Sequence, residues 1–394
     1  MGIESIQDLD VKDKKVLVRV DFNVPLDDSC AIIDDARIRA ALPTIEHAVE
    51  KGAKVVLMSH LGRPKGKVVK SMSLLPVARR LSELLGTSVN MAPDCIGEKV
   101  QKMVAGLQPG DVLLLENLRF HIEEEKNDPA FAKQLASLCD LFVNDAFATA
   151  HRAHASNVGI CSYVKQKSAG FLLQREVEHI NKVIDNPERP LAALVGGAKV
   201  SGKLEVLENL VDIVDKLIIG GGMAYTFVKA LDQKIGKSLV EDNLVATALK
   251  IMEKARNKGV KLYLPVDCIC APKIEHGQKT EIKTIQEIPS ELMALDIGPA
   301  SVTLFAEALA DCATIVWNGP MGVFEIEEFS TGTTQMSKAV ALADAVTIVG
   351  GGDTDAALHK SGLADKVDFV STAGGAFLEM LGGKALPGVV VLED

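Results

Sequence analysis

Guanidinium groups carry forked donors that match phosphate and carboxylate oxygens, so the arginines of this chain and their neighbours are read first. In the first half they follow short β-branched runs, together with imidazoles and amides. The segments are Asp21-Phe22-Asn23, His60-Leu61-Gly62-Arg63, Asn117-Leu118-Arg119, and Asn144-Asp145 followed by His151-Arg152-Ala153-His154. Arg37 adds a cation on an apparent turn before Pro43, with Ile38, Ala41, Leu42 and Ile45 turned to the opposite face. One arginine at a strand end is commonly a surface ion pair, but repetition at successive strand ends suits a small, highly anionic ligand.

The second half offers glycine at the same places: Gly196-Gly197-Ala198-Lys199, Gly220-Gly221-Gly222-Met223, Asn318-Gly319-Pro320-Met321-Gly322, Gly350-Gly351-Gly352-Asp353-Thr354 and Ser371-Thr372-Ala373-Gly374-Gly375. Glycine lets backbone approach a phosphate, and helix N-termini aim unpaired N–H groups at it. These read as nucleotide loops. Gly197 to Lys203 satisfies the G-x-x-x-x-G-K half of a P-loop, but Leu204 stands where a magnesium-ligating hydroxyl is needed, so the motif fails. Lys199 and Lys203, one helical turn apart, still suit a phosphate chain. Asp353 reads equally as a helix N-cap or as a carboxylate for nucleotide-bound magnesium, and Glu325 as a solvated acid or a ribose-hydroxyl acceptor.

Other chemistries find less support. His151 and His154 would share a helical face as metal ligands, yet no third ligand follows and Arg152 lies between them. Cys268 and Cys270 have no second pair at zinc spacing, and the flanking LPVDCICA reads as a buried strand. The seven cysteines are expected to be reduced cytosolic thiols, since Met1 to Asp10 is too acidic for a signal h-region. A formal net charge of −10 argues against partners bound through a general positive field, such as nucleic acid or an anionic membrane. No run of about 18 apolar residues suggests a membrane span.

Apolar runs alternating with amphipathic stretches of helical period imply α/β architecture, two Rossmann-like doubly wound parallel-sheet lobes joined by a helix. The expected strands are Val16–Val20, Val55–Met58, Ser88–Met91, Val112–Leu115 and Leu141–Val143, then Leu191–Val195, Lys216–Ile219, Lys261–Pro265, Thr314–Trp317, Ala345–Val349 and Val367–Val370. Expected helices include Ser73–Leu85 and Pro129–Leu138. Gly170–Ile184 places Leu173, Val177, Ile180 and Ile184 on one face before Asn186-Pro187 stops it. The division is therefore 1–169, a joining helix and hinge at 170–187, a second lobe at 188–376, and a terminal segment at 377–394.

VRVDFNVP at Val18–Pro25, SHLGRP at Ser59–Pro64, LLLENLRF at Leu113–Phe120 and AHRAHAS at Ala150–Ser156 resemble the phosphoglycerate kinase family. So do GGAKVSGKL at Gly196–Leu204, GGGMAYTF at Gly220–Phe227, VWNGPMGVFE at Val316–Glu325 and VGGGDT at Val349–Thr354. The resemblance implies reversible phosphoryl transfer between 1,3-bisphosphoglycerate and ADP by a cytoplasmic monomer whose lobes close on their ligands. It implies 3-phosphoglycerate on the first lobe, held at Asp21, Phe22, Asn23, Arg37, His60, Leu61, Gly62, Arg63, Arg119 and Arg152. Mg2+ with ATP or ADP falls to the second lobe, at Gly197, Lys203, Gly222, Asn318, Pro320, Glu325 and Gly351, Gly352, Asp353, Thr354, with Asp353 toward the metal. Arg37, Lys199, Gly374 and Gly375 would face the transferring group. Ala373 departs from the S-T-G-G-G-A that family members often show, and a methyl there would restrict φ or crowd the loop. The last residues are expected to return to the first lobe, with Gly388–Leu392 strand-like. Another small-carboxylate kinase and a catalytically silent nucleotide-binding scaffold are the competing readings.

Overall fold

The computed structural model describes residues 3–393. The chain forms two compact units, one holding the residues up to Glu178 together with those from Ala385 onward, the other His179–Lys384. In the first unit, strands β1 (Lys15–Arg19), β2 (Lys54–Met58), β3 (Val89–Met91), β4 (Val112–Leu114), β5 (Leu141–Asn144) and β6 (Lys167–Ala169) form one sheet ordered β3-β4-β2-β1-β5-β6. All of its pairings are parallel. A parallel sheet is covered on both faces, which is why its strands are near-continuous apolar runs such as Val16-Leu17-Val18, each residue fully buried.

In the second unit β7 (Leu191–Val195), β8 (Lys216–Ile219), β9 (Lys261–Tyr263), β13 (Thr314–Asn318), β14 (Val346–Gly350) and β15 (Phe369–Ser371) form a parallel sheet ordered β15-β14-β13-β7-β8-β9. The chain leaves β7 toward one edge and later restarts beside it toward the other, creating a crevice beyond the carboxyl ends of β7 and β13 where such sheets bind ligands. A separate antiparallel sheet, β11 (Glu281–Thr284), β10 (Asp267–Ala271) and β12 (Met293–Ile297), was not expected. Pro265 stands between β9 and β10; lacking an N–H, it cannot continue a ladder, and the apolar stretch becomes two strands of different sheets.

Three local expectations are corrected. Arg37 lies not on a turn but in the first turn of the helix Ala36–Glu50, which carries Pro43 inside it. Burial of Ile38, Ala41, Thr44, Ile45 and Ala48 along one face holds that helix despite the missing hydrogen bond. The joining helix is Phe171–Asp185, and Val183 rather than Ile184 is its last buried residue. The tail forms a short helix, Pro387–Val390, instead of a strand. There Gly388 donates to Ala150 O (2.8 Å) and accepts from Asn144 Nδ2 (3.1 Å), and a side chain at Gly388 would strike the Ala150 backbone.

Candidate active site

In the first unit the ends of β1, β2, β4 and β5 gather the cations. Arg19, the last residue of β1, is buried and donates to Ser156 Oγ (2.9 Å), to the Val20 carbonyl and to His60 Nδ1 (3.3 Å). An arginine can only donate, so His60 Nδ1 accepts and the ring keeps its proton on Nε2. Burial, then the charges of Arg19, Arg119 and Arg37, hold this imidazole well below its ordinary pKa. Burial and the same Arg19 and Arg119 push His154 down to about 4. Both rings are neutral donors or acceptors at neutral pH.

Arg37 pairs with Asp21, whose carboxylate also accepts the Asn23 N–H at 3.1 Å. Asn23 Oδ1 in turn accepts the Gly62 N–H (2.8 Å), and Arg119 donates to Gly62 O (2.8 Å) and lies 3.2 Å from Glu125. Arg152 is half-buried against His151, 3.0 Å from its Nε2, while Arg63 is exposed. Phe22 and Leu61 belong to the core, so only their backbone can meet a ligand. Leu61 is pinned by Asn117, which accepts its N–H at 3.2 Å and donates to its carbonyl at 2.7 Å.

Sequence reading missed Arg19 and Glu124. Glu124 is buried and accepts from the Ser156 hydroxyl (2.6 Å) and N–H (3.0 Å); burial raises its carboxyl, opposed chiefly by Arg19. The run Glu123-Glu124-Glu125 gives no sign that its middle acid is internal. His151 and His154 lie in irregular chain, not on a helical face, so the H-x-x-H arrangement is absent.

In the second unit the loops after β7, β13 and β14 interlock. Gly196 N–H donates to Asn318 O (2.9 Å), Gly197 N–H to Pro320 O (3.0 Å), and Gly319 N–H to Thr354 Oγ1 (2.7 Å). Asn318 Nδ2 donates to Gly350 O (2.6 Å). Gly319 adopts φ +95°, and a side chain on it would collide with the Gly196 backbone. Lys203 gives its ammonium to Gly196 O (2.6 Å), Asn318 Oδ1 (2.7 Å) and Asn318 O (3.3 Å); burial lowers its pKa to about 8. Asn318, Thr354 and Lys203 therefore build the crevice itself. Lys199 stays exposed on the loop after β7, whose Val200 and Ser201 N–H groups are held by Glu241 at 2.6 and 2.9 Å, a residue the sequence did not single out.

Beside the crevice lies a cavity of about 360 Å³, lined by Gly197, Gly222, Pro320, Glu325 and Asp353 and walled by apolar side chains such as Leu239 and Leu295. Asp353 is not an N-cap: the helix Gly352–Ser361 is capped at Gly351 without a side-chain bond, leaving the Asp353 carboxylate exposed in the first turn. The Ser371–Gly375 loop lies alongside, a Cβ on Gly374 standing 3.4 Å from Gly351 Cα. Ala373 is not among the residues at positive φ, and its methyl is buried, so the alanine neither strains the loop nor narrows its open side. A larger cavity of about 770 Å³, bordered by Ser29, Asp35 and Arg80, contains none of the gathered cations or glycine loops.

The family model for phosphoglycerate kinase matches residues 6–384. The chain belongs to the phosphoglycerate kinase family. The phosphoglycerate kinase of Geotalea uraniireducens is 59% identical over 395 residues, covering 100% of this chain and 99% of that protein. Among solved structures, phosphoglycerate kinase from Coxiella burnetii has a TM-score of 0.88 at 47% identity, with 99% of each chain covered. The enzyme from Pyrococcus horikoshii gives 0.87 at 32%, with 99% of this chain and 98% of that one covered. Membership of the phosphoglycerate kinase family makes this chain a phosphotransferase, and both parallel sheets are those the solved family members share. Among the described residues no helix is long and apolar enough to cross a membrane.

Proposed function

We propose that the family's reaction, phosphoryl transfer from 1,3-bisphosphoglycerate to ADP and its reverse, uses the cationic cluster of the first unit for the glycerate ligand and the glycine loops of the second for the nucleotide. The attacking group in the ATP-consuming direction is a carboxylate, already ionised at neutral pH, so no general base is required. That agrees with a cluster in which His60 and His154 are held neutral and charge is carried by guanidinium groups. Arg63, Arg119 and Arg152 orient the anion, while Arg37 and Lys199 stabilise charge spreading over the transferring phosphoryl. Backbone N–H groups at Gly374 and Gly375 serve the same charge.

Nucleotide phosphates lie against the loops that start at Gly197 and Gly351, where the Gly352–Ser361 helix begins, and the base and ribose occupy the cavity bordered by Leu239 and Glu325. Asp353 would hold magnesium: one exposed carboxylate beside a phosphate site fits a cation that keeps waters and phosphate oxygens as its other ligands. When bound, that ion neutralises phosphate charge. The family resemblance leads us to read the protein as a monomer, and the seven free thiols suit a reducing, cytoplasmic setting.

The supporting observation is the separation of chemistry, guanidinium groups gathered at one set of strand ends and glycine amides with Asp353 at another. Calorimetric titration of each ligand tests it. Arg63→Ala, which removes an exposed group, is expected to weaken 3-phosphoglycerate about tenfold or more and leave Mg-ADP unchanged. Asp353→Asn is expected to do the reverse. Either variant weakening the other unit's ligand instead would overturn the assignment.

A further inference from the structure

Near the ends of β3 and β4 lies a cluster that phosphoryl transfer leaves unused. Asp94 and Cys95 follow β3, and His121 follows the Leu118–Phe120 turn after β4. Asp94 Oδ1 is 2.7 Å from His121 Nε2 and accepts the Cys95 N–H at 2.7 Å. One donor atom from each of the three side chains, a carboxylate oxygen, a thiol sulfur and an imidazole nitrogen, lies within 4.8 Å of the other two. Among the described residues this is the one such gathering of three. The sulfur forms a buried floor, whereas the Asp94 and His121 side chains are 48% and 26% exposed, so the cluster opens to solvent on one flank. Phe131, 5.3 Å away between ring centroids, packs against the imidazole.

An aspartate–histidine ion pair would account for two of these groups; the thiol beneath them is hydrogen-bonded to the Asp94 carboxylate, and burial pushes its pKa well above the ordinary thiol value, so a cation that binds here must displace its proton. Oxygen, nitrogen and sulfur donors together match a borderline-soft divalent cation; magnesium and calcium prefer oxygen alone. Tetrahedral coordination at roughly 2.0–2.3 Å separates ligand atoms by about 3.3–3.7 Å. The carboxylate–imidazole pair must then open by about half an ångström and the sulfur approach by about one at most, movements within reach of side-chain rotation.

We propose that Asp94, Cys95 and His121 bind a zinc-class divalent cation, with solvent as the fourth ligand. The site lies outside the phosphoryl-transfer residues and does not depend on their assignment. It adjoins them along the chain, because the Asp94 carbonyl accepts the Glu116 N–H at 3.4 Å and the His121 N–H donates to Leu118 O at 3.2 Å.

The test is titration of nucleotide-free protein with Co2+ as an optical probe and with Zn2+ by calorimetry. One cation per chain is expected, with a near-ultraviolet thiolate-to-cobalt band that Zn2+ abolishes. Cys95→Ser should remove the band, and His121→Gln should weaken Zn2+ at least tenfold, each with an unchanged melting temperature before metal is added. Cys268→Ser, which alters the buried C-x-C pair instead, should leave both readouts intact. Absence of the band in the unaltered protein, Zn2+ binding equally well to Cys95→Ser and His121→Gln, or loss of the band only in Cys268→Ser would each overturn the proposal. If Cys95→Ser does not fold, His121→Gln and Cys268→Ser still decide it.

Discussion

Arg37 is tied to Asp21, so the pair sets the direction in which the guanidinium is presented. A preorganised cation aimed at charge that develops in the transition state typically supplies about 10²–10³ in turnover. Arg37→Ala should therefore lower kcat by that order while the protein melts within a few degrees of the parent, as steady-state kinetics and a thermal scan would show. Near-normal kcat would remove Arg37 from the transition-state set. At this scale the sequence was readable for charged and polar residues that directly follow an apolar run, the buried His60 and Arg119 included, and blind to those that support them from elsewhere. Arg63 and Asp353 are both exposed, but spacing leaves Asp353 open between a helix N-cap and a carboxylate for magnesium, and the structure removes only the first. Arg19 and Glu124 were invisible because nothing local marks a charged residue whose side-chain partners, Ser156 and His60 for Arg19 and Ser156 for Glu124, come from distant parts of the chain. Lys203 and Asn318 were found for their chemistry, yet their donors are engaged by backbone carbonyls of neighbouring loops.

At the scale of elements, the start of the joining helix rests on one acid. Asp145, at the end of β5, accepts the N–H groups of Leu172 and Leu173 at 2.9 and 3.1 Å and is fully buried. A side chain at Gly170 would run into it. Burial raises its pKa to about 7, against hydrogen bonds from Thr44, Leu173 and Leu172 that lower it. The folded state then holds a proton that the unfolded chain gives up near pH 4. Its contribution to stability is present below that pH and is lost as pH rises to about 7, on the order of 4 kcal/mol at most. Asparagine retains the accepting oxygen without the charge. Melting temperatures of Asp145→Asn and the parent should diverge in the variant's favour between about pH 4 and 8, and a constant or opposite difference would refute this. Strand positions were legible because buried parallel strands are short β-branched runs, and Leu191–Val195 and Lys216–Ile219 stand where expected. The helix around Pro43 was not, since local backbone preference predicts a break that burial of one face overrides.

For the whole molecule, the repeated order of strand, loop and helix made two parallel sheets readable, while the antiparallel β10–β12 sheet escaped notice. β10 was readable as a buried strand, but β11, Glu281-Ile282-Lys283-Thr284, is largely exposed and lacks the apolar run that marked the other strands. The tail's helical turn was likewise hidden, because four apolar residues after a proline fit either conformation. The net charge of −10 is a global constraint with which the proposed sites agree: the cations they offer an anion form local clusters, not a general field. The most direct measurement of the central claim is ATP consumption by the purified protein in a coupled assay, with 3-phosphoglycerate and magnesium each omitted in turn. Saturable turnover that falls by orders of magnitude when either is left out is expected. ATP consumption that proceeds equally without 3-phosphoglycerate, or no turnover from a protein that binds both ligands, would contradict the claim.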